Sequence, residues 1–275
     1  MPANLTLPQF KKRDKFSHKG SYGHLLIAAG SYGKMGAAVL SVKAALHSGA
    51  GLVTALIPKC GCEIMQISNP EAMVIVSGEN ELHQVPDLTA FTTIAVGPGI
   101  GTWDNTVELL KNLLQQFRQP LVLDADALNI ISKNETLLDL ISENSVLTPH
   151  VGEFRRLVGV WNSDNEKIDK LIALSIKHKL VTVLKGTHTT VVSPEGKTYI
   201  NNTGNPGMAK GGSGDVLTGI ITSLLAQGYS SADAAVLGVY IHGLAGDFAK
   251  TELGETAMTA SDIISYLPKA FKTLE

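Results

Sequence analysis

The 275-residue chain contains 44% hydrophobic and only 17% charged residues, so it has enough apolar surface to offset the entropy of ordering, which excludes a disordered chain. Its 23 Lys and Arg residues stand against 25 Asp and Glu residues, which leaves a net charge of −2, and 5% of the residues are aromatic. This composition supplies neither the positive field nor the stacking platforms that nucleic-acid binding needs.

The start of the chain does not resemble a targeting signal. The charged run at residues 11–15 has no apolar segment behind it, as a secretory signal would. No apolar run reaches the ~18 to 20 residues needed to cross a bilayer. We therefore expect a cytoplasmic protein that does not contact a membrane. Because no linker, composition shift or internal repeat divides the sequence, we also expect residues 1–275 to form one domain.

Short β-rich runs alternate with helical periods almost from end to end. The predicted strands are residues 24–29, 51–57, 72–76, 93–96, 120–124, 145–148, 180–184, 189–193 and 197–200. The predicted helices are residues 37–47, 134–142, 151–158 and 164–178, one that Thr102 or Asp104 can cap, and three that begin near Asp215, Ser230 and Ser261. Residues 194–196 separate the last two strands and predict a hairpin.

This alternation predicts an α/β fold with a mainly parallel central sheet covered by helices on both faces. In such a sheet, ligands bind outside the carboxyl ends of the strands. Polar or glycine-rich residues follow four of the predicted strands, at 97–101, 124–126, 149–150 and 185–187. Each of these segments could be only a turn, but together they indicate a ligand site at this edge.

The strongest single feature is the segment 205–219, in which a glycine cluster leads into an apolar helix. Gly211, Gly212 and Gly214 stand directly before Asp215. Free N–H groups at a helix start, with the positive end of the helix dipole, attract phosphate. The segment is not a Walker loop, since no Lys-Ser/Thr pair follows its last glycine, and its spacing is not G-x-G-x-x-G. It predicts an anion-binding turn of another kind.

The carboxylate of Asp215 would repel the anion that this turn attracts. One explanation is catalytic, because a carboxylate there can accept the proton of a hydroxyl that attacks phosphorus. The other explanation is that Asp215 only caps the helix. Residues 185–189 favour the catalytic explanation, since they offer a cation and a second turn for nucleotide contacts at another strand end.

Residues 211–215 resemble the anion hole and catalytic Asp of ribokinase-like enzymes, and the surrounding sequence is similar to the ADP- or ATP-dependent NAD(P)H-hydrate dehydratases. The segments that carry this resemblance are 17–23, 36–40, 48–53, 96–99, 123–129, 147–154, 184–186, 202–219 and 240–243. Together these motifs are highly specific, although a lone Gly-x-Gly-Asp motif is not. We do not expect the epimerase domain that is sometimes fused to members of this family.

The resemblance implies a ribokinase-like fold and a metabolite-repair reaction. A nicotinamide cofactor that has added water at its ring, the S epimer of NADHX or NADPHX, is restored while ADP is split into AMP and phosphate. Mg²⁺ is implied on the phosphates, and a homotetramer is implied as the assembly. ADP and ATP both remain open as the phosphoryl donor, with ADP favoured, and the preference between NADHX and NADPHX remains open.

The resemblance also implies roles for individual residues. Asp215 is the catalytic base, and the anion hole is formed by Gly211, Gly212, Ser213 and Gly214. The nucleotide contacts are Lys185, Gly186, Thr187, His188, Thr189 and Gly214. The pocket for the hydrated cofactor is lined by Ala38, Gly99, His150 and Asp215. No protein ligand of the metal is implied.

Plainer interpretations stand beside several of these roles. Ala38 could be a helix-packing residue, His150 a loop histidine bonded to backbone, and His188 a residue that acts through its backbone alone. Asp124 and Asp126 could be turn formers or could tune magnesium near the phosphates.

Two other functions are compatible with the same motifs. The first is a ribokinase-like kinase of a small hydroxymethyl or hydroxyethyl heterocycle, which would release a stable phosphorylated product. The second is a nucleotide sensor without turnover. Residues 17–23 and 147–154 favour the dehydratase over the kinase, and the intact Asp215 argues against the sensor.

Overall fold

A computed structural model describes residues 6–275, and within them nine strands form one sheet. The strands are β1 His24–Ala28, β2 Leu52–Ile57, β3 Met73–Val76, β4 Thr93–Val96, β5 Val122–Leu123, β6 Val146–Leu147, β7 Val181–Leu184, β8 Thr190–Val192 and β9 Thr198–Ile200. The helices are α1 Met35–His47, α2 Cys62–Ser68, α3 Asp104–Gln116, α4 Asp126–Lys133, α5 Val151–Val158, α6 Asp164–His178, α7 Ser213–Ala226, α8 Ser231–Ala257 and α9 Ala260–Lys272.

The sheet has the strand order β3-β2-β1-β4-β5-β6-β7-β8-β9. All neighbours from β3 to β7 are parallel, and β8 and β9 continue the sheet as antiparallel strands. The predicted hairpin is therefore confirmed. The chain builds outward from β1 in one direction and from β4 in the other, so the order reverses between these two neighbours. In open α/β sheets such a switch point opens a crevice for ligands at the carboxyl ends of the strands.

Helices cover both faces of the sheet, as the alternation of strands and helices predicts. On one face Leu26 of β1 belongs to a buried cluster that includes Leu110 of α3. On the other face Leu25 belongs to a cluster that includes Val42 of α1 and Ile221 of α7. A third cluster packs α8 and α9 against the outer side of α7, which makes α7 a largely buried helix that begins at the carboxyl edge of the sheet.

Two local predictions are wrong in detail. The helix predicted at 134–142 is a short 3₁₀ segment, Glu135–Leu140. The α-helix of this region is α4, which begins at Asp126, shortly after the end of β5. The predicted caps of α3 are also wrong, because the residue before its first turn is Trp103 and no side chain caps it. The short helix α2 was not predicted, since its seven residues bury only Met65 and show no long apolar period.

Within residues 6–275, no helix combines the length and the apolar character that a membrane crossing requires.

Candidate active site

The four strand ends that stood out in the sequence belong to β4, β5, β6 and β7, which are neighbours in the sheet. Backbone hydrogen bonds tie their loops together. The Gly30 N–H donates to the Pro98 carbonyl at 2.8 Å across the switch point, and the Lys185 N–H donates to the Pro149 carbonyl at 2.9 Å farther along the edge. The structure thus brings the predicted segments into one continuous rim.

The helix α7 begins above this rim without a side-chain cap. Its N-cap residue is Gly212, whose φ of 93° is a left-handed conformation that glycine adopts readily. Because no side chain bonds to the first turn, N–H groups at the positive end of the helix dipole remain available to an anion. The predicted anion hole, residues 211–214, forms this uncapped turn.

The loop before α7 is anchored to the C-terminal helices. Lys210 Nζ donates to the carbonyls of Thr256 at 2.5 Å and Met258 at 2.6 Å, at the junction between α8 and α9. At the other end of the loop, the Gly204 N–H donates to the carboxylate of Asp247 at 2.9 Å. These bonds fix the position of the uncapped turn from outside the sheet.

Asp215 is the third residue of α7, so it does not occupy the cap position. Burial raises the pKa of its carboxyl to about 7, with a further rise from the negative charge of Asp124 and smaller ones from Asp126 and Glu153. The ammonium of Lys185 opposes this rise. A carboxyl group whose pKa lies near 7 can both accept and release a proton at neutral pH, as a general base must.

Beside the first turn of α7, Asp124, Lys185 and Thr218 form a buried polar cluster. Asp124 is 1% exposed, and its oxygens have separate partners: Lys185 Nζ donates to Oδ1 at 2.7 Å, and the Thr218 hydroxyl donates to Oδ2 at 2.7 Å. A Cβ atom added at Gly214 would lie 3.3 Å from Lys185 Nζ, which places the ammonium next to the anion hole.

The sequence assigned Lys185 but left Asp124 without a catalytic role and missed Thr218. A carboxylate directly after a fully buried strand was the available signal for Asp124, because such a group must be paired. Thr218 follows Gly214 by one helical turn, which puts both on the same face of α7.

Asp126 performs a different task from Asp124. It accepts from the Gly101 N–H at 2.9 Å and lies 3.4 Å from Lys34 Nζ. These contacts join the loop after β4, the start of α4 and the start of α1. Asp126 therefore braces the part of the rim beside β1 and β4 and does more than terminate a strand.

The predicted nucleotide contacts form an exposed turn directly after β7. Gly186, Thr187 and His188 are exposed, and the Thr189 hydroxyl closes the turn by donating to the Gly186 carbonyl at 3.1 Å. No neighbouring atom lies within 4 Å of a Cβ added at Gly186, so the turn is open on its outer side. This arrangement leaves its backbone accessible to a ligand beside Lys185.

Gly99 and Ala38 lie on the side of β1 and β4. Gly99 has a φ of 67°, and a Cβ there would lie 3.0 Å from the carbonyl oxygen of Lys34, so this loop packs closely on the start of α1. Ala38 is completely buried within α1, and its Cβ would lie 3.1 Å from a Cβ added at Gly30. The structure therefore favours helix packing as the role of the Ala38 side chain, and its assignment to the substrate pocket stays a prediction.

His150 lies at the start of α5 and caps that helix. The ring Nδ1 of His150 accepts from the backbone N–H groups of Gly152 at 2.9 Å and Glu153 at 3.2 Å. The backbone N–H of His150 donates to the Glu153 carboxylate at 2.8 Å. This geometry matches the plainer interpretation of a histidine bonded to backbone. The side chain is still 54% exposed, which leaves ring surface for a ligand.

His242 is a further residue of the site that the sequence left without a role. Its Nε2 lies 3.3 Å from the hydroxyl of Ser213 in the first turn of α7. Burial lowers the pKa of His242 to about 4, so its ring is neutral at neutral pH. The segment 240–243 carried the resemblance, and an isolated histidine in an apolar helix was the remaining signal.

Within the described part of the chain, no group of three or more His, Cys, Asp and Glu side chains is arranged to hold a metal ion. Beside the uncapped turn the rim offers amides and one ammonium, while the carboxylates of Asp124 and Asp126 are already engaged by protein donors. Mg²⁺ commonly keeps several waters and is bound through substrate phosphates. These residues do not build a dedicated metal cage, and they suit a metal that arrives with a nucleotide.

Sequence comparison finds one family model that spans most of the chain. The model for NAD(P)H-hydrate dehydratase matches residues 25–269. A bifunctional NAD(P)H-hydrate repair enzyme of Moorella thermoacetica is 40% identical over 97% of this chain and 52% of its own length. An ADP-dependent (S)-NAD(P)H-hydrate dehydratase of Neisseria meningitidis is 39% identical over 90% of this chain and 84% of its own length. The chain thus spans about half the length of the bifunctional relatives it matches.

Comparison of folds gives a consistent result. A solved ADP/ATP-dependent NAD(P)H-hydrate dehydratase of Bacillus subtilis, co-crystallized with ATP and Mg²⁺, has a TM-score of 0.84 to this chain at 29% sequence identity. The match covers 97% of this chain and 95% of the solved one. This likeness confirms the predicted fold class.

Proposed function

Because the chain belongs to the NAD(P)H-hydrate dehydratase family, we propose that it uses ADP to dehydrate the S epimer of hydrated NADH or NADPH. The observation that carries this proposal is the place of Asp215, a partly buried carboxyl group with a pKa of about 7 in the first turn of an uncapped helix. That turn attracts the phosphoryl group, and the carboxylate removes the proton of the hydroxyl that attacks it.

The proposed reaction converts a poor leaving group into a good one. Asp215 accepts the proton of the ring hydroxyl while the hydroxyl oxygen forms a bond to the β-phosphorus of ADP, and the bond from that phosphorus to AMP breaks. The C–O bond to the ring then breaks and phosphate leaves with the electron pair, which the lone pair of the ring nitrogen replaces. Loss of a proton from the adjacent ring carbon restores the double bond of the dihydronicotinamide.

The chain's own groups stabilise the charge that develops during transfer. Amides of residues 211–214 bind the phosphoryl oxygens, and the Lys185 ammonium lies beside them. The open turn at residues 186–189 binds the nucleotide, and Gly99 and His150 line the pocket for the hydrated ring. Preorganised donors of this kind need no rearrangement at the moment of reaction.

The remaining parts of the proposal rest on the family resemblance and, for the location and the single domain, on the sequence expectations. Mg²⁺ accompanies the nucleotide phosphates, where it neutralises their charge, and we assign it no protein ligand. ADP is the preferred donor, the chain assembles as a homotetramer, and the reaction takes place in the cytoplasm. Residues 1–275 act as a single ribokinase-like domain.

The function is tested by mixing the protein with hydrated NADH and ADP while the absorbance band of reduced nicotinamide is followed. We expect the band to recover with ADP, or with ATP, and to stay absent without a nucleotide. A stable phosphorylated ring without recovery would identify a kinase, and nucleotide binding without either product would identify a sensor. Each of those two outcomes contradicts the proposed dehydration.

Lys185→Ala is expected to weaken nucleotide binding. Loss of a hydrogen bond to a charged group corresponds to about a 10- to 100-fold increase in the dissociation constant. Isothermal titration calorimetry with ADP measures this change, and circular dichroism checks that the variant is folded. Lys111→Ala on α3 is the control, because Lys111 pairs only at the surface with Glu108 and should leave the constant unchanged. An unchanged constant for Lys185→Ala contradicts its role.

A further inference from the structure

Asp124 holds Lys185 in a defined place instead of merely neutralising it. The Asp124 carboxylate is 1% exposed and both of its oxygens are engaged, one by Lys185 Nζ at 2.7 Å and the other by the Thr218 hydroxyl at 2.7 Å. Thr218 is itself completely buried in α7. Because two fixed partners on different elements grip one carboxylate, the ammonium has little freedom to move along the rim.

The ammonium of Lys185 retains unused donors. Of its three N–H groups, one is donated to Asp124, and no second hydrogen bond from Nζ occurs among residues 6–275. Its side chain is 19% exposed, and a Cβ at Gly214 would lie 3.3 Å from Nζ. The free N–H groups therefore lie beside the amides of the uncapped turn, where an anion would complete their coordination.

From this geometry we infer that Asp124 is a positioning residue: together with Thr218 it fixes the Lys185 ammonium against the phosphoryl group while that group is transferred. The inference rests on the proposed function and adds two residues to it. A mobile lysine can still find the phosphates of a bound nucleotide, but stabilising charge that develops in the transition state requires the ammonium at one place. Loss of positioning therefore lowers kcat more than it weakens nucleotide binding.

The charges around Asp215 support a coupled arrangement. Asp124 raises the pKa of Asp215 and Lys185 lowers it, while Asp126 and Glu153 make smaller rises. If Asp124 becomes neutral, the opposing effect of Lys185 on Asp215 persists without its counterweight. The pKa of Asp215 should then fall, because a nearby like charge has been removed.

The first test compares two isosteric changes on the same buried helix. Thr218→Val removes the 2.7 Å bond to Asp124 and the longer 3.2 Å contact of the same hydroxyl with the Gly214 carbonyl. Thr222→Val removes a hydroxyl whose one acceptor among the described residues is the Thr218 carbonyl, at 2.6 Å. We expect Thr218→Val to lower kcat by about 10- to 100-fold with less than about a threefold change in the KM for ADP, as misplacement of a catalytic group does. Thr222→Val should stay within about twofold of the wild type. Equal kcat values in the two folded variants overturn the inference.

The second test does not depend on turnover. Carbon-13 NMR of labelled aspartate follows the titration of Asp215 in the free wild type and in Asp124→Asn, and a lower pKa in the variant supports the coupling. An unchanged or raised pKa in a folded variant overturns the charge coupling between the two carboxylates, because removal of a nearby negative charge must lower the pKa of Asp215. If the wild-type protein does not restore hydrated NADH, the proposed function is refuted, and the catalytic part of this inference with it. If the wild type turns over normally and the Thr218→Val and Thr222→Val variants have identical kcat values, only the positioning role is refuted.

Discussion

Replacing Asp215 by Asn is expected to lower turnover by roughly a hundredfold or more while nucleotide affinity changes only a few-fold. Asn has nearly the same shape as Asp but cannot accept the proton of the ring hydroxyl. The uncapped turn of α7 is unaltered by the change, so the nucleotide still binds. Initial rates at saturating ADP and hydrated NADH, with calorimetric titration of ADP, measure the two effects. Turnover equal to that of the wild type would show that Asp215 is not the base.

The same variant should gain stability at alkaline pH. Folding raises the pKa of Asp215 from an ordinary value near 4 to about 7, so the folded state binds this proton more tightly than the unfolded state does. The free energy of unfolding that this proton contributes is therefore lost as the pH rises from about 4 to about 7. Asn carries no such charge. Its stability relative to the wild type should therefore be larger at pH 8 than at pH 5, by about 2 kcal/mol.

Urea unfolding at the two pH values measures this difference. The matched control is Asp104→Asn, since Asp104 also lies in the first turn of a helix but is exposed. The control should gain nothing at pH 8, because no buried charge is removed. If Asp215→Asn shows the same stability difference from wild type at both pH values, the carboxyl of Asp215 is not destabilised by burial.

Gly97→Ala is expected to destabilise the fold by about 3 kcal/mol or more and to reduce turnover with it. Gly97 has a φ of 135°, and a Cβ there would lie 1.8 Å from the Asp124 carbonyl oxygen, which is backbone and cannot turn aside. Either β4 and β5 separate at their carboxyl ends or the backbone of Asp124 shifts. Both responses displace the cluster beside Asp215.

Gly36→Ala is the control for this change. Gly36 lies in α1, its φ is not in the left-handed region, and no atom lies within 4 Å of an added Cβ. Alanine is the better helix former, so stability should stay equal or rise by about 0.5 to 1 kcal/mol. Urea unfolding compares the two variants, and a Gly97→Ala protein as stable as Gly36→Ala would contradict the close approach of β4 and β5.

Much of the fold was predictable because the strands between the two edge strands are largely buried and read as apolar runs. The helices α5 and α6 were predicted with their observed bounds. The helix α4 was not, because only two residues separate it from β5 and its start at Asp126 looks like a turn. The seven-residue helix α2 was missed because local pattern is weak over so few residues.

The candidate site divides in a similar way. The uncapped turn before Asp215 was predictable from glycine spacing, since a left-handed residue such as Gly212 leaves a local mark on the sequence. The partnership of Asp124, Lys185 and Thr218 was not, because their separations of 61 and 94 residues are closed only by the sheet and by α7. Burial of Ala38 likewise depends on tertiary packing, whereas His150 caps α5 through contacts only two and three residues along the chain.

The anchoring of Lys210 links ligand binding to the last part of the chain. Its ammonium donates to carbonyls that lie 46 and 48 residues farther along the chain. The shape of the uncapped turn at residues 211–214 is therefore coupled to the α8–α9 junction. A ligand that binds the uncapped turn more tightly in this conformation also stabilises the α8–α9 junction, by thermodynamic linkage. Bound nucleotide should therefore slow the hydrogen exchange of the backbone amides around residues 256–258. Conversely, a destabilising substitution in α9 should weaken phosphate binding although it alters no residue of the rim.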